Sequence, residues 1–401
     1  MLADALRRPG TVLLDGPRPD ADTGRRGALV FSDPRRTLVA RAYAEVGPLL
    51  DALDAALAGG HHVAGALAYE AGYALEPGRF PAPPAPDGPL GWFGVYDAPA
   101  EVGPDALAAA LPEGGAVLGA PRFAWTAEAH AERVAAVRAH VRAGDVYQVN
   151  LTAPLRFAFD GEPLALYAAL RARQPVSYGA YLDLGGASVA SVSPELFFRV
   201  DRAAGRGGPR TVTARPMKGT APRGAAPPAD RALADGLTAD PKNRAENLMI
   251  VDLLRNDLAR VSEPGSVRVP ALFEAERYET VTQMTSTVRA TLRPDATLGA
   301  VVRALFPCGS VTGAPKLRAM EVIRDLEDGP RGVYCGAVGY AAPGPGGVGS
   351  AAFSVPIRTA VVQGGAGRYD VGSGVVWDSD AAAEYAECLL KARVLTDLAA
   401  P

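Results

Sequence analysis

Short runs of β-branched and apolar residues recur along this chain in groups, and stretches with helical periodicity separate the groups. Three such runs lie within residues 11–40, and three more lie within residues 177–200. Strands that follow one another across short turns pair as antiparallel neighbours, whereas each strand of a parallel sheet needs a long crossover before the next. The pattern therefore predicts a large α+β fold with mainly antiparallel sheets rather than a doubly wound parallel sheet.

Helix boundaries can be placed from apolar periodicity and from residues that cap helix ends. A stripe of leucines marks a predicted helix over residues 46–59. Asp240 is placed to cap a helix that runs to residue 260, because a proline follows at the first helical position. Residues 334–341 and 350–362 are predicted to be two strands that pair across a Gly/Pro loop, and residues 380–398 form the closing helix.

Composition excludes several classes of partner. The 401-residue chain has a net charge of −3 with basic and acidic residues interleaved, so a nucleic-acid partner is not expected. No apolar run approaches the roughly 20 residues that cross a membrane, and the N-terminus lacks the apolar core of a signal peptide. The three cysteines are widely spaced and odd in number, which argues against a disulfide framework and suits a reducing cytoplasm.

Two predicted helices present oxygen ligands at matching spacing. Glu384 and Glu387 share one face of the closing helix, and Asn243 and Glu246 share a face of the helix after Asp240. Two such helices could hold a Mg²⁺ ion between them, because Mg²⁺ takes one or two carboxylates together with waters and substrate oxygens. Taken alone, each pair is more simply explained as a solvated helix face, so the spacing by itself does not establish a metal site.

Two basic residues, Lys218 and Arg358, are candidates for contact with an anionic substrate. Lys218 stands where a β-branched run ends, and Gly219 beside it lets a ligand approach the backbone closely. A lysine in a closed pocket has a lowered pKa and can act as an amine nucleophile, although an exposed lysine at a strand end has the same pattern. Arg358 is predicted to lie on a strand, where it could bind a carboxylate with two hydrogen bonds.

Glycine-rich stretches are candidates for binding an anion through the backbone. Residues 306–316 open a helix and carry Ser310, Thr312 and Lys316, which together suit a carboxylate or a phosphate. A plain loop with a helix cap explains the same residues as well. Residues 372–374, predicted to lie between a strand and the closing helix, could cradle an anion with their N–H groups.

Five motifs occur in a fixed order along the chain. They are residues 144–151, residues 193–195, residues 216–220, residues 244–252 with 255–257, and residues 309–316. Together they resemble the chorismate-utilising enzymes, which include anthranilate synthase, aminodeoxychorismate synthase component I, isochorismate synthase and salicylate synthase. The resemblance implies one large chorismate-binding fold, with the sheets packed as a sandwich and the helices outside. Residues 1–118 would form an N-terminal region that packs into the same fold as a catalytic domain over residues 119–401.

The resemblance also implies roles for individual residues. Glu246 and Glu387 would hold Mg²⁺ on the ring carboxylate of the substrate, and Asn243 and Glu384 would support the ion through water. The family usually carries an acid at the first of these supporting positions, so Asn243 is a departure. Glu195 would be the general acid that protonates the departing C4 hydroxyl. The other implied residues would bind the carboxylates of chorismate or line its pocket: Gly219, Thr220, Ser310, Thr312, Gly313, Lys316, Tyr334, Arg358, Gly372, Ser373 and Gly374.

Three positions select a branch within this family. Isochorismate and salicylate synthases carry a lysine base that activates water where this chain has Gln148. Anthranilate synthases usually carry alanine in place of Lys218, and a histidine used for pyruvate elimination in place of Gln283. The resemblance is therefore strongest to the aminodeoxychorismate synthase branch. In that branch the lysine is a covalent nucleophile at C2 of chorismate, and ammonia then adds at C4.

The branch also implies a partner and leaves alternatives to test. Its product is the precursor of 4-aminobenzoate for folate, and a glutamine amidotransferase supplies its ammonia. Because this chain shows no glutaminase signature, that partner is expected to be a separate subunit. The alternatives are an anthranilate synthase and a non-catalytic chorismate or tryptophan sensor, since residues 13–15 lie where the family often binds tryptophan. A sensor is disfavoured because it would be expected to have lost one of the reactive residues, all of which are present.

Overall fold

Two large β-sheets form the centre of the molecule. The computed structural model describes residues 2–18, 26–81, 83, 87–201, 208–278, 281–345 and 347–399. Its helices in this part of the chain are α1 Leu2–Ala5, α2 Val46–Ala58, α3 Ala71–Leu75, α4 Pro104–Ala110, α5 Ala127–Arg142, α6 Pro163–Arg173, α7 Pro227–Ala239, α8 Pro241–Ala259, α9 Leu298–Leu305, α10 Lys316–Leu326 and α11 Ala381–Thr396.

The strands alternate with these helices in groups. They are β1 Val12–Gly16, β2 Gly27–Phe31, β3 Arg36–Ala40, β4 His62–Leu67, β5 Gly91–Tyr96, β6 Ala100–Val102, β7 Ala116–Leu118, β8 Arg122–Phe123, β9 Gln148–Gly161, β10 Tyr178–Asp183, β11 Ser188–Ser193, β12 Leu196–Asp201, β13 Thr211–Arg215, β14 Met217–Pro222, β15 Arg268–Arg277, β16 Val281–Thr291, β17 Gly313–Ala314, β18 Ala337–Gly344, β19 Gly347–Ser354, β20 Thr359–Gln363 and β21 Ala366–Val375.

The strands divide into two antiparallel sheets. The first sheet has 11 strands in the order β17-β9-β21-β20-β11-β10-β1-β2-β6, and β7 and β8 also pair with β9. The second sheet has 10 strands in the order β14-β16-β13-β12-β19-β18-β4-β5-β3, and β15 pairs with β16. The N-terminal strands belong to both sheets, because β1 pairs with β10 in the first and β4 pairs with β18 in the second. The predicted α+β class with antiparallel sheets is confirmed.

The sheets pack face to face and helices cover their outer faces. Val12 and Leu182 of the first sheet share a buried cluster with Trp92 of the second. On the outer face of the second sheet, Leu50 of α2 is fully buried in a cluster with Phe353 and with residues of α8 and α9. The first sheet is covered by α6 and α11, whose buried residues pack with those of β21. The predicted sandwich with outer helices is therefore also confirmed.

Local capping follows the sequence closely. Asp240 accepts a hydrogen bond from the backbone N–H of Asn243 at 2.7 Å, which caps α8 as predicted. The predicted helices over residues 46–59 and 380–398 are present as α2 and α11. The short helix α3 was not predicted, because it has only five residues and too few positions to show a period.

One predicted strand is wrong. Residues 350–362 do not form a single strand: β19 ends at Ser354 in the second sheet and β20 begins at Thr359 in the first. Pro356 lies in the connection and has no N–H group with which to continue a ladder of hydrogen bonds. Arg358 therefore lies in a bend between the sheets, with a φ of +53°, and not on a strand as predicted.

Two further predictions about the strand ends need correction. Tyr334 precedes β18 in a turn that Gly336 closes by donating its N–H to the Val333 carbonyl at 3.0 Å. Residues 372–374 lie inside β21 rather than after it, and each of them pairs with a residue of β9. They are therefore part of an antiparallel ladder, in which alternate residues direct their N–H groups to β9, and a short glycine pattern does not reveal this.

Candidate active site

The candidate site lies where the two sheets meet α8 and α11. Lys218 comes from β14 of the second sheet, and Asn150 comes from the start of β9 in the first. Glu195 occupies the short connection from β11 to β12, which links the two sheets. Glu246 of α8 and Glu387 of α11 both act electrostatically on Lys218. Residues that are far apart in the chain thus share one pocket.

Lys218 has the environment of a candidate nucleophile. Its side chain is half-buried, and its Nζ donates a hydrogen bond to Asn150 Oδ1 at 3.3 Å. Burial lowers the pKa of the Lys218 ammonium, because removal from water disfavours the charged form. Glu246 acts against this shift, while Lys391 acts in the same direction as burial. A larger fraction of the amine is therefore neutral and able to react than in a solvated lysine.

Glu195 has the opposite property, which suits a proton donor. It is only 3% exposed, and burial raises the pKa of its carboxyl. Hydrogen bonds from the Ser310 hydroxyl and the Met217 backbone act against that shift, as does the charge of Lys218. Its Oε1 atom has no hydrogen-bond partner among the described residues. A buried carboxyl whose pKa is raised, close to the strand that carries Lys218, is a candidate general acid.

Gly219 allows β14, the strand that carries Lys218, to approach α8 closely. Its φ is +88°, a conformation that favours glycine, and a Cβ atom there would lie 3.0 Å from Asn243 Oδ1. Thr220 follows and donates its hydroxyl to Gln283 Oε1 at 3.0 Å. The residue that departs from the family pattern, Asn243, is thus at the site and touches the strand that carries Lys218.

Three carboxylates form the acidic side of the site. Burial raises the pKa of Glu246, and Glu384 and Glu387 add to that increase. Glu384 is buried, accepts a hydrogen bond from Ser379 at 2.7 Å through Oε1, and has no partner for Oε2 among the described residues. Partial burial works to raise the pKa of Glu387, but its 2.6 Å ion pair with Lys391 and the charge of Lys218 hold the pKa below its usual value.

These carboxylates fit a hard divalent cation. Like charges in one place are costly unless a cation accompanies them, and the unpartnered Oε2 of Glu384 is an unused acceptor. In the described part of the chain, no group of three or more acidic, histidine or cysteine side chains is arranged so that it could hold a metal ion by itself. A Mg²⁺ ion here would need waters and substrate oxygens in addition to one or two carboxylates, which is its usual way of binding.

The glycine loop before α10 lies beside the pocket, but much of its polarity is used internally. Thr312 donates its hydroxyl to the Cys308 carbonyl at 3.1 Å, and Lys316 bonds to Asp257 at 2.7 Å and to the Leu305 carbonyl at 2.8 Å. Ser310 differs, because its hydroxyl reaches Glu195. Thr312 and Lys316 therefore hold the loop in place, and a direct role for them in substrate binding stays a prediction.

Gly313 and the glycines of β21 allow the backbone to approach β9. Gly313 has a φ of +151°, and a Cβ atom there would overlap the Gln148 carbonyl. A Cβ atom at Gly374 would overlap the side-chain amide of Gln148, and one at Gly372 would overlap the Leu151 carbonyl. Between these glycines, the buried hydroxyl of Ser373 lies beside the Cys388 thiol. Small residues thus make the room that the Gln148 and Asn150 side chains occupy.

Arg358 is a half-buried cation with no acidic partner among the described residues. Burial lowers the pKa of its guanidinium, and only the phenol groups of Tyr369, Tyr278 and Tyr334 act against that shift. No carboxylate among the described residues contributes to it. An unpaired buried guanidinium is costly, so a ligand carboxylate is a suitable partner for it.

Two residues at the site were not singled out from the sequence. Asn150 contacts Lys218, and its position two residues after Gln148 on one strand face was the available signal. Lys391 donates to Glu387 at 2.6 Å and to the Gly372 carbonyl at 2.8 Å. Its spacing of four residues from Glu387 on α11 was a signal for that ion pair.

Known proteins share both this sequence and this fold. The family described as chorismate binding enzyme matches residues 21–397. An aminodeoxychorismate synthase of Streptomyces griseus is 48% identical over 258 residues, which cover 64% of this chain and 34% of that protein. Component 1 of anthranilate synthase from Streptomyces coelicolor is 43% identical over 303 residues, which cover 74% of this chain and 56% of that protein.

A solved structure extends the likeness to the whole chain. Anthranilate synthase component I from Streptococcus pneumoniae superimposes with a TM-score of 0.75 and 24% identity, covering 94% of this chain and 93% of that one. The fold is therefore shared, whereas the chain spans 34% and 56% of the length of the two Streptomyces proteins. No described helix is long and apolar enough to cross a membrane. The chain belongs to the chorismate-binding enzyme family.

Proposed function

We propose that this chain converts chorismate and ammonia to 4-amino-4-deoxychorismate, as aminodeoxychorismate synthase component I does. The observation that carries the proposal is Lys218, a half-buried amine with a lowered pKa next to the buried carboxyl of Glu195. The lowered pKa of the amine and the raised pKa of the carboxyl favour a neutral nucleophile and a proton donor, the two groups that a substitution through a covalent intermediate requires. The relatives named as aminodeoxychorismate synthases support the same reaction.

In the first step, the lone pair of Lys218 Nζ forms a bond to C2 of chorismate. The two ring double bonds shift, the bond from C4 to its hydroxyl breaks, and Glu195 gives the proton with which the hydroxyl leaves as water. In the second step, ammonia bonds to C4, the double bonds shift back, and the bond from C2 to Nζ breaks. The lysine nitrogen loses one proton on bonding and regains one on leaving, so the balance is chorismate plus ammonia giving product plus water.

The substrate would be held by charge at both ends of the pocket. Arg358 would pair with one carboxylate of chorismate, because its guanidinium is half-buried and no described carboxylate acts on it. Glu246 and Glu387 would hold Mg²⁺ on the ring carboxylate, and Glu384 and Asn243 would support the ion through water. When bound, the ion neutralises the ring carboxylate and so draws electrons through the ring during attack at C2.

The source of ammonia is proposed to be a separate glutamine amidotransferase subunit. The three cysteines, Cys308, Cys335 and Cys388, are buried and unpaired, and burial raises the pKa of each thiol, to about 12 for Cys308 and about 11 for Cys388. Thiols of that kind are poor nucleophiles, so none of them suits the attack on glutamine that releases ammonia. Unpaired cysteines also suit a reducing cytoplasm, where folate precursors would be made.

Anthranilate synthesis is the second candidate, because an anthranilate synthase component is also among the similar proteins. Pyruvate elimination requires a base that removes a ring proton, and this chain has Gln283 where the family resemblance places that base. Gln283 Oε1 is already engaged by the Thr220 hydroxyl at 3.0 Å, and an amide has no basic nitrogen. This candidate is therefore less well supported.

Product analysis tests the proposal directly. The pure chain is incubated with chorismate, Mg²⁺ and ammonium, and the product is identified by its mass and by conversion to 4-aminobenzoate with an added lyase. We expect 4-amino-4-deoxychorismate, because Lys218 and Glu195 favour substitution at C4. Anthranilate as the main product would contradict the choice of branch, and isochorismate would show that water is the nucleophile.

Removal of Mg²⁺ is expected to abolish turnover. Without the ion, the carboxylate of the substrate would meet Glu246 and Glu384, whose charges would then repel it. Turnover is measured in excess chelator and again after Mg²⁺ is added in excess of the chelator, which should restore it. Chorismate binding by the chelated chain should be weakened at least about tenfold, since unscreened like charges cost more than about 1.4 kcal/mol. Undiminished turnover in chelator would contradict the assignment of the carboxylates.

A further inference from the structure

Asn150 accepts a hydrogen bond from the amine of Lys218. It is the third residue of β9, only 9% exposed, and its side chain points to the same face of the strand as that of Gln148. Lys218 Nζ donates to Asn150 Oδ1 at 3.3 Å, and Gln148 Nε2 approaches the same oxygen at 3.4 Å. Oδ1 is the hydrogen-bond acceptor that the structure gives to the Lys218 amine.

The orientation of this amide group is determined by its second contact. Asn150 Nδ2 donates to the Ser310 carbonyl at 2.6 Å, and a carbonyl oxygen can only accept. If the amide were turned over, two oxygen acceptors would face each other at that distance, which is unfavourable. Oδ1 must therefore face Lys218, and the lysine always meets an acceptor at this position.

The backbone of Asn150 cannot easily move to relax these contacts. Its N–H donates to the Thr312 carbonyl at 2.8 Å, and its carbonyl accepts from Arg331 Nη2 at 2.7 Å. Arg331 also donates to the Val311 carbonyl at 2.8 Å, so one guanidinium ties β9 to the glycine loop. The strand and the loop hold Asn150 from both sides.

An uncharged acceptor is what a lysine nucleophile needs in this position. A neutral amine has one lone pair, and its N–H groups must point away from the carbon under attack for that lone pair to reach it. A hydrogen bond to Oδ1 fixes one N–H in that direction. A carboxylate in the same place would also accept the bond, but it would favour the protonated lysine, which has no lone pair.

We propose that Asn150 is a positioning residue that orients the neutral amine of Lys218 for attack on the substrate. The inference rests on the proposed function, because it concerns the covalent step of that reaction. It adds a residue that acts through Lys218 and does not itself touch the reacting carbon. It also gives a role to the carboxamide pair of Gln148 and Asn150 at the start of β9.

The test is the rate at which the covalent intermediate forms when ammonia is absent. The whole chain is mixed with chorismate and Mg²⁺, and samples are quenched at intervals. Intact-protein mass spectrometry then measures the fraction of the chain whose mass has increased by that of chorismate minus one water. Asn150→Leu has nearly the same size but no acceptor, so the adduct should form at least about tenfold more slowly, since small misplacements of reacting groups cost up to about a hundredfold. The dissociation constant of chorismate should change less than about threefold, because the charged groups proposed to bind its carboxylates are unchanged in this variant.

A second variant separates orientation from folding. Asn150→Asp loses the donor to the Ser310 carbonyl, as Asn150→Leu does, but keeps an oxygen acceptor for Lys218. It also adds a negative charge to those of Glu246 and Glu387, which already act on Lys218, whereas Lys391 opposes them. The pKa of the lysine should rise, so adduct formation should be slow at neutral pH and should recover as the pH is raised. Asn150→Leu should form the adduct slowly at every pH, because leucine offers the Lys218 amine no hydrogen-bond acceptor whatever the protonation state of the lysine.

The control is Asn256→Asp on α8, which adds the same charge at an exposed position. It should keep the wild-type rate at every pH. If wild type forms the adduct and Asn150→Leu forms it equally fast, or if the Asn150→Asp profile coincides with wild type, the inference is wrong while the proposed function stands. If wild type forms no adduct at all, the proposed function fails, and the inference fails with it.

Discussion

Replacing Lys218 with alanine is expected to lower the rate of 4-amino-4-deoxychorismate formation by roughly a thousandfold or more, because the group that forms the covalent intermediate is lost. Chorismate should still bind, since Arg358 and the carboxylate side of the site are unchanged. The loss should therefore appear in kcat and much less in the dissociation constant. Turnover is measured with ammonium and, once a partner subunit is available, with glutamine.

The matched control for this variant is Lys242→Ala. Lys242 is exposed at the start of α8, and its charge acts on Glu246 and Glu387 as that of Lys218 does. If Lys218 contributed only positive charge, both alanine variants would lose activity to a similar degree. We expect the Lys242 variant to lose less than about tenfold, as surface charges are screened by solvent. Full activity of Lys218→Ala with glutamine would rule out the covalent intermediate.

Replacing Arg331 with methionine is expected to destabilise the folded chain by about 3–5 kcal/mol, because it removes one member of a buried ion pair. Arg331 is 3% exposed and donates to both oxygens of Glu327, at 2.6 and 2.9 Å. It also donates to the carbonyls of Asn150 and Val311. Without it, a buried carboxylate and two backbone acceptors lose their partner. The measurement is the free energy of unfolding from urea denaturation.

A double variant tests the cause of that loss. Arg331→Met combined with Glu327→Leu removes both charges, so no uncompensated charge is left in the core. We expect the double variant to be more stable than Arg331→Met alone, although the Thr152 N–H then loses Glu327 Oε1, which it contacts at 2.9 Å. An unchanged urea midpoint for the single variant would contradict the proposed importance of this pair. A double variant less stable than the single one would show that the hydrogen bonds outweigh the charge.

Arg331 also contacts the segments that carry residues of the candidate active site. The carbonyls that it binds belong to Asn150, which contacts Lys218, and to Val311 in the loop that presents Ser310 to Glu195. Its backbone N–H donates to Glu70 at 2.6 Å, so the N-terminal region is tied to the same point. Burial raises the pKa of Glu70 to about 7. Glu70 and Arg331 thus join the N-terminal region to the strand and the loop that contact Lys218 and Glu195.

Much of the fold follows from local patterns. The leucine stripe of α2 and the Asp240 cap of α8 depend on neighbours within a few residues, so their signals are complete in the sequence. The break between β19 and β20 was missed because Pro356 was given too little weight as a strand breaker, and because which sheet each segment pairs with depends on distant strands. Arg358 was placed on a strand for the same reason.

Some residues of the candidate site could likewise be recognised from the sequence, whereas the environment of others could not. The carboxylate pair on α11 and the lysine of β14 could be singled out by spacing and residue type alone. The same spacing did not distinguish Glu384, which is buried and bonded to Ser379, from Glu387, which is partly exposed and paired with Lys391. For Lys316 the sequence pattern was misleading. Its place in a glycine-rich motif suggested that it binds the substrate, but its ammonium group forms an ion pair with Asp257, which lies 59 positions away in the chain.

The order of its motifs is sufficient to identify the family of this chain, and Lys218 with Gln148 and Gln283 is sufficient to favour one branch. These signals are readable because each depends on which residue occupies a position and not on where its side chain points. The contact of Lys218 with Asn150 spans 68 positions and two different sheets, and its acceptor is oriented by a carbonyl of a third segment. Such an arrangement forms only when strands that are far apart in the chain pair and remove Lys218 and Glu195 from water. The same burial lowers the pKa of Lys218 and raises that of Glu195.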